Sequence, residues 1–363
     1  MNNLNKNIII VTGGTGGHIF PATTVGKYLS KKLFNVNFIT DTRGLNNINL
    51  ARLKPKVIYV KGFAGKTYIQ KITSIILMLI ASLKILFFLK NKKIDLVLGF
   101  GSYVQVPVIL AAKILKINII LHEGNLVLGN ANKYFWRFAK VRASAFHIIN
   151  SKKDFQVIGM PIRTEIENLF ARDYKANVQR KKINILILGG SLGALVLSRN
   201  ICKQICLLPV NIKKRLHVVH QSKIEDITQI NTNYLKNRIS SEVKSFFSDI
   251  HNKLKTTTLV ICRAGASTIT ENLIAGLPAI YVPLSNSIDN HQKHNAEMIK
   301  SNNAGWMILE DEISEPKFLE LLIKLLSSGK LLEKISYNCK KISKPYASKN
   351  LHKLVLGVLN EKF

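Results

Sequence analysis

Twice along this chain a run of uninterrupted apolar residues stops on clustered glycines and passes at once into a helical pattern, first as NIIIVTGGTGGH from Asn7 and again as NILILGGSLGA from Asn184. A strand that is apolar at every position has no solvent face, so it must lie in a parallel sheet covered by helices on both sides. Further runs of this kind occupy Val36–Thr40, Val57–Val60, Leu96–Gly99 and Asn118–His122 in the first half. Thr258–Cys262, Leu216–His220 and Ala279–Pro283 follow in the second, with Ile183–Leu188 as its opening strand. Each glycine loop reads as the first turn of its own domain. The expected fold class is therefore α/β, with two Rossmann-like doubly wound domains facing a cleft at the carboxyl ends of their strands. The expected boundaries are 1–160, 161–340 and a terminal helix, 341–363, packing back on the first domain. The join falls near GMPIR, Gly159–Arg163, ahead of a polar stretch that runs through Lys182.

With 363 residues, 47% of them hydrophobic, the chain has material for more than one core and is not globally disordered. Its net charge of +32 attracts polyanions, anionic lipids or phosphate-bearing substrates without choosing among them. Abundant Asn and Lys make compositional bias an equally good source of that excess. The basic residues are dispersed and not interleaved with aromatics on one element, which argues against nucleic acid as a partner. Cys202, Cys206, Cys262 and Cys339 show neither a CxxC spacing nor nearby paired histidines, so no zinc site is expected and reduced thiols in a cytoplasmic setting fit. The opening residues have no signal-peptide core, since the apolar run Ile8–Val11 enters the glycine loop directly.

In the first loop Gly13, Gly14, Thr15, Gly16, Gly17 and His18 precede a helix expected from about Pro21. Glycines let backbone amides approach a phosphate, and a helix N-terminus adds partial positive charge. A dinucleotide site is the alternative, with Asp41 after the next strand placed to take a ribose hydroxyl. The second loop, Gly189–Ala194, favours two phosphate-handling domains instead. Its Ser191 either donates to a phosphate or caps the helix. In CRAGASTITENLIAGLPAIYVP, Cys262–Pro283, a helix starts near Ala266 and stops at Gly276. Glu271 is read as lying near that helix start, where a carboxylate accepts both hydroxyls of a ribose or merely answers the helix dipole. Arg163 offers a planar fork to a diphosphate, or is a solvated surface arginine.

These segments, GGTGGH, GFGSYVQVP at Gly99–Pro107, HEGN at His122–Asn125, GMPIR, GGSLGA and RAGASTITENLIAGLP, occur in the order and spacing of a known family. Over nearly its whole length the chain resembles the peptidoglycan N-acetylglucosaminyltransferases that convert lipid I to lipid II. The resemblance implies a GT-B fold, a UDP-N-acetylglucosamine donor held mainly by the C-terminal domain, and an undecaprenyl-linked acceptor. It implies that Thr15, Gly16 and Gly17 touch the donor sugar and phosphate side and that Asn125 binds sugar hydroxyls. Arg163 and Ser191 would hold the diphosphate, and the backbone of Phe247 would recognise uracil. Ala266, Ser267, Thr268, Ile269, Thr270 and Glu271 would surround phosphate and ribose, with Gln292 on the N-acetylglucosamine. The chain departs from the family pattern at Ser102, Gln105, Val106, Gly124, Leu192 and His291.

Such a reaction is an inverting transfer to the C4 hydroxyl of a muramyl sugar. It needs a base for the hydroxyl proton and a sink for charge on the leaving diphosphate. His18 has the right titration range for the base and Glu123 competes with it. Helix N-termini and Arg163 supply the charge sink, so neither metal nor cofactor is expected. Ile69–Leu89 is apolar and long enough to approach a bilayer's thickness, yet it contains Lys71 and Lys84 and falls inside a sheet domain. The expected partner is an anionic membrane surface, with this helix lying on it beside Lys66, Lys90, Lys92 and Lys93, on the cytoplasmic side of the inner membrane. The competing readings are a related GT-B enzyme such as a UDP-sugar 2-epimerase, and a non-catalytic basic membrane-binding protein.

Overall fold

The computed structural model describes residues 6–14, 16–60, 67–151, 154–176, 182–189, 194–285 and 287–361. The chain divides into two units, Met1–Arg163 with Tyr346–Phe363, and Thr164–Pro345.

In the first unit the strands are β1 (Asn7–Val11), β2 (Asn35–Thr40), β3 (Lys56–Val57), β4 (Leu96–Gly99), β5 (Asn118–Glu123), β6 (Val141–Ser144) and β7 (Gln156–Val157). They pair in parallel in the order β3-β2-β1-β4-β5-β6-β7. Ile8, Ile9, Ile10 and Val11 are all fully buried, and the period of two explains how. Ile8 and Ile10 face one layer, which includes Leu351, Leu354, Val355 and Val358 of the helix Ala347–Leu359. Ile9 and Val11 face the other, which includes Ile85 and Leu89 of the long helix Tyr68–Asn91.

The second unit holds β8 (Ile183–Leu188), β9 (Leu216–Gln221), β10 (Ser240–Lys244), β11 (Leu259–Cys262), β12 (Ala279–Tyr281) and β13 (Trp306–Met307). These are parallel too, in the order β10-β9-β8-β11-β12-β13. The strand order reverses between β1 and β4, and again between β8 and β11. At such a reversal the loops leave the carboxyl ends in opposite directions and open a crevice.

Four strands, β6, β7, β10 and β13, carry no apolar run that would announce them. Three of these are sheet edges, where one side of the strand needs no apolar cover, and β10 reads SSEVK. β6 contains Arg142, whose guanidinium bonds the Trp136 and Arg137 carbonyls. The first helix spans Gly16–Lys31, so it begins on the glycines themselves and Pro21 lies inside it, earlier than the proline suggested.

The long helix has two characters. Its Gln70 side chain accepts the Thr67 amide at the N-terminus, and 24 residues give it a length of about 36 Å. Ile85 is 0% exposed whereas Leu79 is 56% and Phe87 63% exposed. The segment Ile72–Asn91 is apolar and long enough to cross a membrane by composition, yet one face of it is committed to the sheet. Ile85→Ala should therefore cost about 2–5 kcal/mol in denaturant unfolding, and Phe87→Ser should stay within about 0.5 kcal/mol of the parent. Equal losses would mean that the helix is buried all round.

Candidate functional site

At the β1/β4 reversal two loops interlock. Gly14 adopts φ 78° after β1, and Gly101 and Ser102 adopt φ 89° and 70° after β4. A Cβ on Gly101 would lie 3.2 Å from the His18 imidazole, so the ring in the first turn of its helix rests on the β4 loop. Asp41, at the end of β2, is 2% exposed. Its carboxylate accepts the Gly14 amide at 3.3 Å, the Gly44 amide at 2.9 Å and the Arg43 guanidinium at 2.8 and 2.6 Å. Asp41 is thus spent on shaping the glycine loop and is not presented to a ribose. Gly13 sits so close that a Cβ there would meet the Asp41 carboxylate and Val104 at 3.0 Å.

A buried relay of side-chain amides supports the neighbouring loops. Gln105, 0% exposed, accepts the Gly101 amide at 2.9 Å and donates to Asn132 Oδ1 at 2.7 Å. Asn132 donates in turn to Glu123 Oε2 at 2.9 Å and to the His122 carbonyl at 3.3 Å. Glu123 Oε2 also accepts the Gly129 amide at 3.0 Å, while its Oε1 accepts the Asn125 amide at 3.0 Å and side chain at 3.3 Å. With both oxygens saturated by donors, Glu123 is built to hold the HEGN loop, a poor arrangement for a proton acceptor. His122 meets the Gly159 carbonyl at 2.9 Å. Burial pushes its pKa down, and a carbonyl only accepts, so Nε2 carries the proton and ties β5 to GMPIR. Arg163, half-buried, ends this unit.

In the second unit Gly189 ends β8, whereas Ser191 and Leu192, like Thr15 in the first unit, lie outside the described residues. Beyond β11, Arg263 forms a two-pronged ion pair with Glu310, at 3.0 and 2.9 Å. It also reaches the Val282 and Pro283 carbonyls at 3.4 Å, joining the ends of β11 and β12. Gly265 then opens the helix Ala266–Ala275 without a side-chain cap, and nothing lies within 4 Å of where its Cβ would be. A helix N-terminus without a side-chain cap is the kind of place where an anion is favoured. Ser267, Thr268 and Glu271 share the partly exposed face of this helix. Ala266, Ile269 and Thr270 point inward, with Thr270 Oγ1 bonding the Ala266 carbonyl, so these three offer a ligand backbone and not side chains. Glu271 lies in the second turn, past the reach of the terminal dipole, and the dipole does not account for it.

Gln292 lies in the first turn of the helix His291–Ser301, and its Oε1 accepts the Leu284 amide at 3.1 Å. Asn295, 0% exposed, donates to the Ala264 carbonyl at 3.1 Å and binds that helix to the RAGA loop. Phe247 follows β10 and is 5% exposed, with Lys244 and Lys253 about its ring, so only its backbone is available. On β9, buried His220 links Tyr234 at 2.9 Å and Ser198 at 3.1 Å. Burial lowers its pKa to about 3, which keeps it neutral. Among the described residues no cluster of His, Cys, Asp and Glu is arranged to hold a metal.

The family model of the glycosyltransferase family 28 N-terminal domain matches residues 8–144, and that of its C-terminal domain matches 184–351. The UDP-N-acetylglucosamine–N-acetylmuramyl-(pentapeptide) pyrophosphoryl-undecaprenol N-acetylglucosamine transferase of Rickettsia bellii is 36% identical, with 98% of this chain and 99% of that protein covered. The protein of the same name from a Wolbachia pipientis strain is 35% identical over 92% of this chain and 94% of its own length. The chain belongs to glycosyltransferase family 28. Among solved structures, Acinetobacter baumannii MurG superposes with a TM-score of 0.80 at 28% identity, covering 97% of this chain and 99% of that one. A UDP-N-acetylglucosamine 2-epimerase from Listeria monocytogenes shares the fold alone, with a TM-score of 0.65 at 14% identity.

Within this glycosyltransferase the described site residues form separate groups on each unit. Gly16, Gly17 and His18 open the helix after β1 and Asn125 stands on the loop after β5, with Ser267, Thr268 and Glu271 on the helix after β11. The Gln105–Asn132–Glu123 relay and Asn295 were missed as functional supports. Their sequence signals, a glutamine where small residues are usual and an asparagine three positions after Gln292, were visible only as departures or as motif members. Asn132→Ala removes three hydrogen bonds, those with the Gln105 amide, the His122 carbonyl and Glu123, and should cost about 1–3 kcal/mol by chemical denaturation. Asn132→Asp should be worse at neutral pH, because it sets a second carboxylate against Glu123, and should recover toward the Ala variant as acid protonates one of the pair. Equal stability of the Asp and Ala variants at pH 7 would remove the Asn132–Glu123 contact.

Proposed function

We infer that this chain moves N-acetylglucosamine from UDP-N-acetylglucosamine to the C4 hydroxyl of the muramyl sugar in undecaprenyl-diphospho-muramyl-pentapeptide, forming lipid II. The observation that carries this reading is the near full-length likeness to relatives named for that transfer. In the mechanism proposed, His18 takes the acceptor proton, supported by its seat on the Gly101 loop, and Glu123 keeps that loop system in shape. The uncapped amides after Gly265, with Arg163 and Ser191, stabilise the departing diphosphate, and Glu271 accepts the ribose diol. Thr15, Gly16, Gly17, Asn125 and Gln292 orient the sugar, and the Phe247 backbone reads the uracil. Transfer of labelled sugar to a lipid I analogue tests the reaction, and its absence with a competent acceptor would overturn it. Glu271→Ala should weaken UDP binding by about 1.5–3 kcal/mol in titration calorimetry, the worth of charge-assisted hydrogen bonds. Unchanged affinity in a folded variant takes Glu271 out of the site.

The same reading places the protein peripherally on the cytoplasmic face of the inner membrane. Its support is the exposed apolar side of the long helix, including Ile76, Leu79 and Phe87, beside exposed Lys84, Lys92 and Lys93. Lysines at an anionic surface contribute on the order of 1 kcal/mol each and are screened by salt. Binding to phosphatidylglycerol vesicles should fall in high salt, and replacing Ile76, Leu79 and Phe87 with serine should weaken it at low salt while the fold persists. Protein that resists both salt and alkaline carbonate would instead span the bilayer.

A further inference from the structure

Between the long helix and the helices Gln105–Ile114 and Asn130–Phe135 lies a cavity of about 300 Å³ with apolar walls. Such a space is large enough for a short hydrocarbon segment. The space is open on one side, and its apolar lining is better covered by hydrocarbon than by water.

The walls indicate which one. The outer wall is Ile75, Leu79 and Tyr134, all exposed, and it runs on into the exposed apolar side of the long helix. The inner wall includes Tyr103, from the loop whose Gly101 carries His18. It also includes Asn130 and Ala131, which directly follow Gly129, the residue whose amide Glu123 holds. One end of the cavity is thus built from the β4 loop and the start of the helix after the HEGN loop, and the other meets the exposed apolar side of the long helix. A molecule that joins a sugar diphosphate to a hydrocarbon chain has this polarity along its length. A phospholipid acyl chain would have no reason to enter at the loop end.

We propose that this cavity binds the first isoprene units of the acceptor, those next to its diphosphate, and so contributes to acceptor selection. The proposal rests on the transferase reading above and adds to it a chain-recognition site on the protein itself. Leu110 lines the cavity and takes no part in the hydrogen bonds of the Gln105 relay, so it is the position to change.

The test uses the full chain and lipid I analogues that bear one, two or three isoprene units, kept below their micelle concentrations. For the parent protein the acceptor KM should fall about tenfold or more from the one-unit to the three-unit analogue, since the added units bury apolar surface in the cavity. Leu110→Trp fills the cavity and should raise KM for the three-unit acceptor about tenfold. KM for the one-unit acceptor and for UDP-N-acetylglucosamine should stay where they were. Leu79→Ser, at an exposed wall position that tolerates change, should erode the three-unit advantage without affecting folding, which guards against a misfolded tryptophan variant. Chain-length dependence that is absent in the parent, or equal in the parent and both variants, overturns the proposal. So does stronger competition against the three-unit acceptor by a short-chain phosphatidylglycerol than by a three-unit isoprenoid alcohol. If no acceptor of any chain length receives sugar although UDP still binds, the transferase reading itself fails, and the cavity proposal fails with it.

Discussion

A buried carboxylate is tolerated only where donors surround it, and the first unit of this protein turns that requirement into loop geometry. Asp41 and Glu123 are nearly inaccessible, and their oxygens are satisfied by the Gly14, Gly44, Asn125 and Gly129 amides, by Arg43 and by Asn132. Each loop residue is held because releasing it would strand a charge. Neither acid needs to touch a substrate to matter. The glycines at 13, 14 and 101 supply the backbone freedom that lets the loops reach these anchors and still receive the His18 ring.

Much of this architecture was legible in the sequence, for a reason that also marks its limits. Strands buried on both faces need apolar residues at every position, so β1, β4, β8 and β11 announce themselves and with them the reversal points. Edge strands such as β7 and β10 need no such run, and their short polar sequences passed as loops. The site was legible where chemistry depends on main-chain geometry, as with Gly265 ahead of an uncapped helix. It was obscure where side chains serve one another. Gln105 looks like a departure from a small-residue motif until its two hydrogen bonds are seen, and Glu123 looks like a base until its oxygens are found engaged. Glu271 was read as lying near the helix start, and it lies a turn further in.

The long helix shows how one element serves two surroundings. Ile85 and Leu89 complete the packing on the face of the sheet that carries Ile9 and Val11, and this fixes the helix against rotation. The residues left outward are then presented in a set orientation, with Met78 and Val106 closing the floor between them and the neighbouring helices. An apolar surface held this way is larger than solubility alone would favour, which is a reason to look for hydrocarbon as its counterpart.

The opposite face of the same sheet has a different dependence. Leu351, Leu354, Val355 and Val358 cover Ile8 and Ile10, although the rest of the second unit separates them in the chain. Ribosomes deliver residues in order, so the first unit emerges with that face bare and stays incomplete until the last helix leaves the exit tunnel. The second unit is contiguous and has every residue it requires before then. Completion of the amino-terminal half therefore waits for the helix Ala347–Leu359, and a chain cut just before that helix would carry a finished second unit beside a sheet with one apolar face uncovered.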